Sequence, residues 1–419
     1  MSKILTKRIQ TQLSDYFSSS SDLTKAETHC LKDMVVGILK SKTVFVNQIA
    51  ASLRESIKLK DVAKRLYAQY LKDDYAEKIR ENHLQSATAG VTNDSFILMD
   101  GTDISKKHAK YMEGLEFVKN GDTSEIGLGY NVLNINAINA SKEMTPLYSK
   151  AYSYQMGALS SNNEIKKAVR NVNEHLVGRQ CWVFDRGADN EILKDFFINE
   201  TSQCIIRLKR NTGLNYKGKK LKVSQIAKRI KYTIAQSVSK VKKSKVITQA
   251  YDLAAVKVLI TLKGKQYPLW LVVSRNASHG GLCCLLVKTH LETATEVARW
   301  AFKGYGFRWK IEEYHRHVKQ EYKLEDIQIK TFTGLQSMLA ILTVAMHIIY
   351  KKIKAIHIEL LLDAGYNYLN KHQIRELTNF IYYKISKIVS ILLMPVRNRW
   401  KTESIPIPDN VEQLNFEFN

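Results

Sequence analysis

The chain has 419 residues, with 64 Lys and Arg against 40 Asp and Glu, which gives a formal net charge of +24. A positive excess of this size concentrates polyanions around a protein, so nucleic acid is the first partner to expect. Hydrophobic residues make up 45% of the chain and only 5 residues are Pro, a composition that excludes a disordered chain.

Two further features narrow the class of protein. The longest apolar run, Met338 to Tyr350, is shorter than the ~20 residues needed to cross a bilayer, so no membrane association is expected. The 5 cysteines include no C-x-x-C pair, which argues against a structural zinc site or a disulfide framework. We therefore expect a cytoplasmic protein in a reducing compartment.

The first 88 residues form a predicted basic, helical domain. Phe45–Leu53 and Val62–Leu71 both carry apolar residues at helical spacing. The pair is either a helix-turn-helix, with Lys64 and Arg65 near DNA phosphates, or a plain helical bundle with a solvated basic face. The spacing leaves both interpretations open, because it identifies no base-reading residue.

Strand patterns dominate residues 89–210, the predicted first part of a catalytic core. Ser95–Met99 is a short apolar run typical of a central strand, and it ends at Asp100. Ile126–Ile138 and Pro146–Tyr154 alternate in polarity and predict an antiparallel pair. Another apolar strand, Cys181–Phe184, stops at Asp185. With predicted helices over 163–177 and 188–197 and a strand over 203–209, the order is β-β-β-α-β-α-β.

Residues 211–291 are a predicted basic, β-rich insertion. From Thr201 to Tyr251 the chain carries 14 Lys and Arg and no Asp or Glu. Such a run is either a solvated, mobile face or a surface that tracks phosphates, and tyrosines interleaved with the cations favour phosphate tracking. The candidate DNA contacts at its start are Arg207, Lys209 and Arg210.

The most informative stretch is Tyr305–Lys319, with the spacing Tyr-x2-Arg-x3-Glu-x6-Lys. At about 100° per residue, Tyr305, Arg308, Glu312 and Lys319 fall within an arc of about 60° on a single helix. A solvated helix face with a Glu312/Arg308 pair is the ordinary explanation of such an arc. The full spacing, with two aspartates that each follow a buried strand, favours a functional site instead.

These residues resemble the signature of bacterial insertion-sequence DDE transposases of the Tyr-Arg-Glu-Lys group. The resemblance spans roughly Phe96 to Lys330 and implies a ribonuclease-H-like core, a mixed five-stranded sheet with helices, extended by the insertion. In that fold the first and fourth strands are neighbours, so Asp100 and Asp185 would meet at one sheet edge. Glu312, in the predicted core segment 292–333, would complete the catalytic set.

Three carboxylates at one point repel each other unless cations compensate them. The resemblance implies Mg²⁺ as cofactor, with Mn²⁺ as a substitute and two ions in the site, held by Asp100, Asp185 and Glu312. It also implies that Tyr305, Arg308 and Lys319 contact phosphates at the transposon end. A structural salt-bridge ladder is the alternative for those three.

Several neighbours compete with the assigned acids. Asp94 precedes the first strand and Asp103 lies past its expected end, while Asp189 is expected early in the next helix, where a carboxylate favours the helix dipole. Glu313 sits about 100° away from the signature face. Some relatives extract a base with an aromatic side chain, but core packing is the favoured interpretation of the local tryptophans, Trp270 and Trp300.

The remaining segment, 334–419, is predicted to be mostly helical. Gly334–Ile358 and Ile374–Leu393 carry apolar helical patterns that either complete the core or form a dimer seam. The sequence as a whole predicts a cut-and-paste DNA transposase that binds terminal inverted repeats and target DNA as a homodimer, associated with the nucleoid when bound. A metal-dependent nuclease on the same core and a catalytically silent DNA-binding repressor are the alternatives.

Overall fold

A computed structural model describes residues 2–18, 22–106, 108–119, 121, 123–242, 245–367 and 381–396. The fold is mixed α/β, with one large mixed sheet flanked by helices. This confirms the α/β class expected from the sequence. The segments 368–380 and 397–419 of the predicted C-terminal region lie outside the described residues.

The chain begins with five helices, which share a core with helices near its C-terminus. Apolar residues of the two groups, such as Leu39 and Ile388, belong to one buried cluster. The bounds of the first five are α1 (Ser2–Ser18), α2 (Lys25–Ser41), α3 (Val46–Leu53), α4 (Leu59–Tyr70) and α5 (Tyr75–Thr88).

The sheet begins directly after these helices. Its first six strands are β1 (Phe96–Ser105), β2 (Glu116–Lys119), β3 (Ile126–Ile138), β4 (Met144–Tyr152), β5 (Cys181–Phe184) and β6 (Gln203–Arg207). Two helices lie between the later strands: α6 (Ser161–Asn173) and α7 (Glu191–Glu200). β1 is twice as long as the expected Ser95–Met99 strand, so Asp100 lies within it and not at its end.

In its described residues, the insertion adds six further strands and one helix. They are β7 (Gly213–Tyr216), β8 (Lys219–Lys222), α8 (Val223–Arg229), β9 (Ile234–Lys242), β10 (Lys245–Leu262), β11 (Lys265–Asn276) and β12 (Leu282–Lys288). The basic run at its start is therefore built into hairpins and a helix, which the sequence pattern did not predict. A strand or helix prediction depends on regularly spaced apolar residues, and in this run they are few and separated by Lys and Arg.

The strand order places the insertion beside the first half of the sheet. The hydrogen-bonded path is β2-β3-β1-β5-β6-β12-β11-β10-β7-β8, with β4 also on β3 and β9 also on β10. β1, β5 and β6 run parallel, and β3, β4 and the insertion strands pair antiparallel. Five neighbouring strands, β4-β3-β1-β5-β6, thus continue into one sheet of 12 strands.

The last helices cover the sheet and complete the core. Their bounds are α9 (Ala294–Gly306), α10 (Trp309–Glu321), α11 (Phe332–His347), α12 (His357–Asn367) and α13 (Ile381–Leu393). Within the described residues, one helical span, Phe332–Lys352, is long and apolar enough to cross a bilayer, but 89% of its most apolar window is buried inside the fold. That burial is typical of the core helix of a globular protein.

Helix α9 lies close to the sheet because its inner face is made of small residues. Val297, Ala298 and Ala301 are fully buried there, and a Cβ placed on Gly304 would come within 2.3 Å of the Phe96 ring. We expect Gly304→Ala to lower the free energy of unfolding by about 1–3 kcal/mol, because the helix must move away from the sheet. Urea denaturation measures this.

Gly306, two residues further along α9, is the matched control for that substitution. No atom outside the helix lies within 4 Å of a Cβ added there. Gly306→Ala should leave the stability unchanged or raise it by up to about 1 kcal/mol through helix propensity. Equal losses in both variants would contradict the close approach of α9 to β1.

Buried histidines make the stability of the fold depend on pH. Burial lowers the pKa of His83 and His357 to about 4 and that of His317 to about 3. The unfolded chain therefore binds these protons at a higher pH than the folded chain does. Above about pH 6.5 these histidines should not reduce the free energy of unfolding. Below that pH it should fall by about 1.4 kcal/mol per pH unit for each histidine.

Urea unfolding at pH 7.5 and pH 5.5 tests this dependence. His83→Gln should flatten it by the share of one histidine, since the ring of His83 is enclosed by Tyr16 and the Pro146 carbonyl. The exposed His108 provides the control, and His108→Gln should keep the wild-type slope. Identical slopes in the wild type and His83→Gln would refute the assignment to His83.

Candidate active site

Asp100 and Asp185 are brought together by the register of two parallel strands. Leu98 of β1 pairs with Val183 of β5, so two residues further along each strand Asp100 stands opposite Asp185 and on the same face. The pairing ends there because β5 stops at Phe184. Both aspartates thus reach the point where the sheet opens between the two strands.

The signature segment is not one continuous helix, which corrects the sequence-based prediction. Tyr305 lies in the last turn of α9, Arg308 precedes the first residue of α10, and Glu312 is in the first turn of α10. Phe307 N–H bonds to the Gly304 carbonyl at 3.1 Å, and Arg308 N–H bonds to that of Tyr305 at 3.1 Å. This tighter turn arises because the Phe307 side chain is buried against the ring of Phe96.

Arg308 is the centre of the site. Its Nη1 donates to Asp100 Oδ2 at 2.9 Å, and its Nη2 donates to Glu312 Oε1 at 2.5 Å. The same Nη2 lies 3.8 Å from Asp185 Oδ2. One guanidinium therefore contacts all three predicted catalytic carboxylates, which come from two strands and a helix.

A second cluster holds the other oxygen of Asp185. The Tyr305 hydroxyl donates to Asp185 Oδ1 at 3.0 Å, and Arg207 Nη1 donates to the Tyr305 hydroxyl at 3.0 Å. Burial raises the pKa of Tyr305, so the hydroxyl keeps its proton as a donor. Arg207 also lies 3.5 Å from Asp185, a contact that the sequence-based prediction missed. This contact follows from the parallel pairing of β5 with β6. Phe184 pairs with Ile206, so the residues that follow them, Asp185 and Arg207, lie side by side.

The two aspartates differ in their electrostatics. Burial, together with the negative charges of Asp185 and Glu312, raises the pKa of Asp100 to about 6 against the opposing effect of Arg308. Burial also acts to raise the pKa of Asp185, but the Arg186 backbone N–H, Arg308 and the Tyr305 hydroxyl outweigh it and lower that pKa. Negative charge at the site is therefore only partly compensated.

Lys319 lies apart from this centre. Its Nζ is 2.9 Å from Glu325 and 3.4 Å from Asp103. The sequence placed Asp103 past the end of the first strand, but in the structure it is part of β1. Lys319 and Asp103 therefore form a neighbouring ion pair further along β1. The sequence alone gave no signal for this pair.

The structure separates the competing acids from the site. Asp94 is exposed ahead of β1, and Glu313 pairs with Lys310 at 2.6 Å. Asp189 was expected early in the next helix, but it precedes α7. There it is buried and pairs with Lys194 at 2.6 Å. Trp270 and Trp300 pack in the core on one face of the sheet.

The predicted DNA contacts differ in their surroundings. Lys209 and Arg210 are exposed at the end of β6, and Lys64 is exposed on α4. Arg65 instead pairs with Glu55 and with the buried Asp33, each at 2.6 Å. Its guanidinium is therefore engaged within the N-terminal helices.

The fit of a divalent ion depends on Arg308. Within the described ranges, no group of three or more His, Cys, Asp or Glu side chains is arranged to hold a metal ion. The donor chemistry nevertheless suits Mg²⁺ or Mn²⁺, because Asp100, Asp185 and Glu312 supply only carboxylate oxygens and carry excess negative charge. In the structure the Arg308 guanidinium lies among these oxygens.

No protein-family model matches the chain, and no curated protein is similar to it in sequence. Among solved structures, it is similar to the piggyBac transposase synaptic complex with hairpin DNA, with a TM-score of 0.43 and 10% sequence identity. The likeness covers 94% of this chain and 79% of that one. A match this distant carries no weight for fold family or function, which must be inferred from the residues themselves.

Proposed function

We propose that this chain is a metal-dependent DNA transposase that cleaves DNA at the ends of its element and joins them to target DNA. The observation that carries the proposal is the convergence of Asp100, Asp185 and Glu312 on one guanidinium. The Tyr-x2-Arg-x3-Glu-x6-Lys spacing singles out Glu312 in the sequence, and Asp100 and Asp185 are the acids that follow the two apolar strands.

We propose further that the core is ribonuclease-H-like. The support is the order β4-β3-β1-β5-β6, in which β1, β5 and β6 are parallel and β3 is antiparallel to both β1 and β4. In this arrangement the two strand-borne aspartates are neighbours and α10 brings Glu312 across them. The insertion then enters after β6 and returns to the core through β12 and α9.

The residues of the chain have distinct roles in this proposal. Asp100, Asp185 and Glu312 would hold Mg²⁺, with Mn²⁺ as a substitute. Two such ions would activate a water or a 3′-hydroxyl for in-line attack on phosphorus and stabilise the leaving oxygen. Tyr305 and Arg207 orient Asp185 by hydrogen bonds, and Arg308 has the planar fork that suits a phosphodiester.

Double-stranded DNA is the proposed partner, with a homodimer holding two element ends together in the cytoplasm, at the nucleoid. The net charge of +24 supports a polyanionic partner. A line of exposed cations begins beside the site and is free of acidic residues. Its members are Lys209, Arg210, Lys217, Lys219, Lys220, Lys222, Lys228, Arg229 and Lys231.

An assay on DNA that carries the segments flanking the coding region tests the proposal. With Mg²⁺, the wild-type chain should nick the element ends and join the new 3′-hydroxyls to a second DNA. Nicking without joining would replace the transposase with a nuclease, and binding without nicking would replace it with a repressor. Chelation of the metal should stop both reactions and leave binding measurable.

A further inference from the structure

The Arg308 guanidinium occupies the place where a metal ion would bind. Its nitrogens lie 2.9 and 2.5 Å from oxygens of Asp100 and Glu312. A small divalent ion sits about 2.1 Å from its oxygen ligands, so an ion on these oxygens would overlap the guanidinium. Arg308 and the metal therefore exclude each other.

Arg308 also supplies charge that the carboxylates need when no metal is bound. Three carboxylates lie within 4.0 Å of its nitrogens, and the Arg308 side chain is 14% exposed. Removing it without a replacement cation would leave the acids to repel each other at close range. The arginine and the metal are thus alternative counterions for one set of oxygens.

A phosphodiester is the group that can draw Arg308 away. Arginine binds phosphate through two parallel N–H bonds, and the carboxylates that now hold it are 24–34% exposed, so the site is open to solvent. When a phosphate takes the guanidinium, Asp100 and Glu312 lose their Arg308 contact, and Asp185 keeps its contacts with Tyr305 and Arg207 on its other oxygen. DNA would then create the metal site beside the very phosphate that Arg308 holds.

We propose that Arg308 couples metal binding to DNA binding: it closes the carboxylate site in the free protein and opens it by transferring to a DNA phosphate. The identity of the anion rests on the proposed function, whereas the closure of the site by Arg308 does not depend on it. By linkage, DNA must raise metal affinity by the same factor as metal raises DNA affinity.

Titration of Mn²⁺ into the full chain, with free ion read by electron paramagnetic resonance, tests the coupling without any catalytic readout. The wild type should bind Mn²⁺ at least about tenfold more tightly when the flanking DNA is present. Arg308→Gln should bind Mn²⁺ at least about tenfold more tightly than the wild type in the absence of DNA. In that variant DNA should add little, because the coupling residue is gone.

Arg207→Gln is the matched control, since it removes a neighbouring guanidinium that contacts Asp185 at 3.5 Å but neither Asp100 nor Glu312. It should change Mn²⁺ affinity much less than Arg308→Gln does. Equal gains in the two variants would show general electrostatics and overturn the proposal. Circular dichroism establishes that each variant is folded, and Arg308→Lys, which keeps the charge but not the fork, offers a second variant with an intermediate affinity.

The outcomes separate this proposal from the proposed function. Tighter Mn²⁺ binding by Arg308→Gln in a chain that neither cuts nor binds DNA would retain the closure by Arg308 and reject the transposase. DNA cleavage by a wild type whose Mn²⁺ affinity is the same with and without DNA would retain the transposase and reject the coupling. Unchanged Mn²⁺ affinity in Arg308→Gln would reject the closure.

Discussion

Glu312→Gln is expected to lower DNA cleavage by at least about a hundredfold while leaving DNA binding intact. The substitution keeps the size of the side chain and its ability to accept a hydrogen bond from Arg308, now 2.5 Å away. It removes the negative charge that a divalent ion requires. Gel-based cleavage and binding assays on the flanking DNA give the two readouts. Asp100→Asn and Asp185→Asn should behave in the same way.

Glu313→Gln provides the control on the same helix. Glu313 is adjacent in sequence, but its carboxylate pairs with Lys310 at 2.6 Å and takes no part in the Arg308 cluster. Cleavage by this variant should stay within about twofold of the wild type, since an ion pair of this kind contributes little. Comparable losses in both variants would mean that α10 as a whole, and not the Glu312 carboxylate, is needed.

The approach of Asp100 to Asp185 was implied by the resemblance and not by the residue pattern, because the periodicity of a strand does not encode which strand lies next to it. Apolar runs marked both strands, and the acids followed them at matching positions. The length of β1 could not be predicted in this way. Directly after Met99 the apolar run stops, and none of Asp100, Gly101 and Thr102 is buried. Pairing with β3, which is distant in sequence, continues the strand to Ser105.

The break between α9 and α10 illustrates a second limit. Periodicity treats Tyr305–Lys319 as one helix, although Gly304 and Gly306 lower the helix propensity directly before the break. The break follows from tertiary packing: Gly304 and Phe307 both lie against Phe96 of β1. Tyr305, Arg308 and Glu312 still converge on one site, since the turn at Arg308 keeps helical backbone angles, whereas Lys319 lies further along β1.

The partners of the site residues were the least predictable feature. The resemblance implies phosphate contacts for Arg308 and Lys319, and it gave no indication that both also pair with acids of the chain itself. Such pairs depend on side-chain reach across elements that are far apart in sequence, which spacing does not encode. The same uncompensated charge that draws these cations inward is what a phosphate and a metal would compete for.

The exposed cations of the insertion are expected to provide a large share of DNA affinity. Lys217, Lys219, Lys220 and Lys222 lie in or beside the β7–β8 hairpin, and all are exposed. Replacing all four by Ala should weaken DNA binding at least about tenfold at moderate salt. The dependence of log affinity on log salt should fall by up to about four, because each contacted phosphate contributes about one.

A quadruple variant with the same loss of charge distinguishes a local contact from the overall field of the protein. Lys25, Lys119, Lys142 and Lys387 are exposed and lie on other elements of the chain. Their replacement by Ala lowers the net charge equally, so it should reduce the rate of encounter but leave most of the salt slope in place. If the two quadruple variants lost the same DNA affinity and the same part of the salt dependence, the β7–β8 hairpin would make no specific contact with DNA phosphates. A loss confined to the β7–β8 variant would place the phosphate backbone along the segment that leaves the carboxylate site at Arg207.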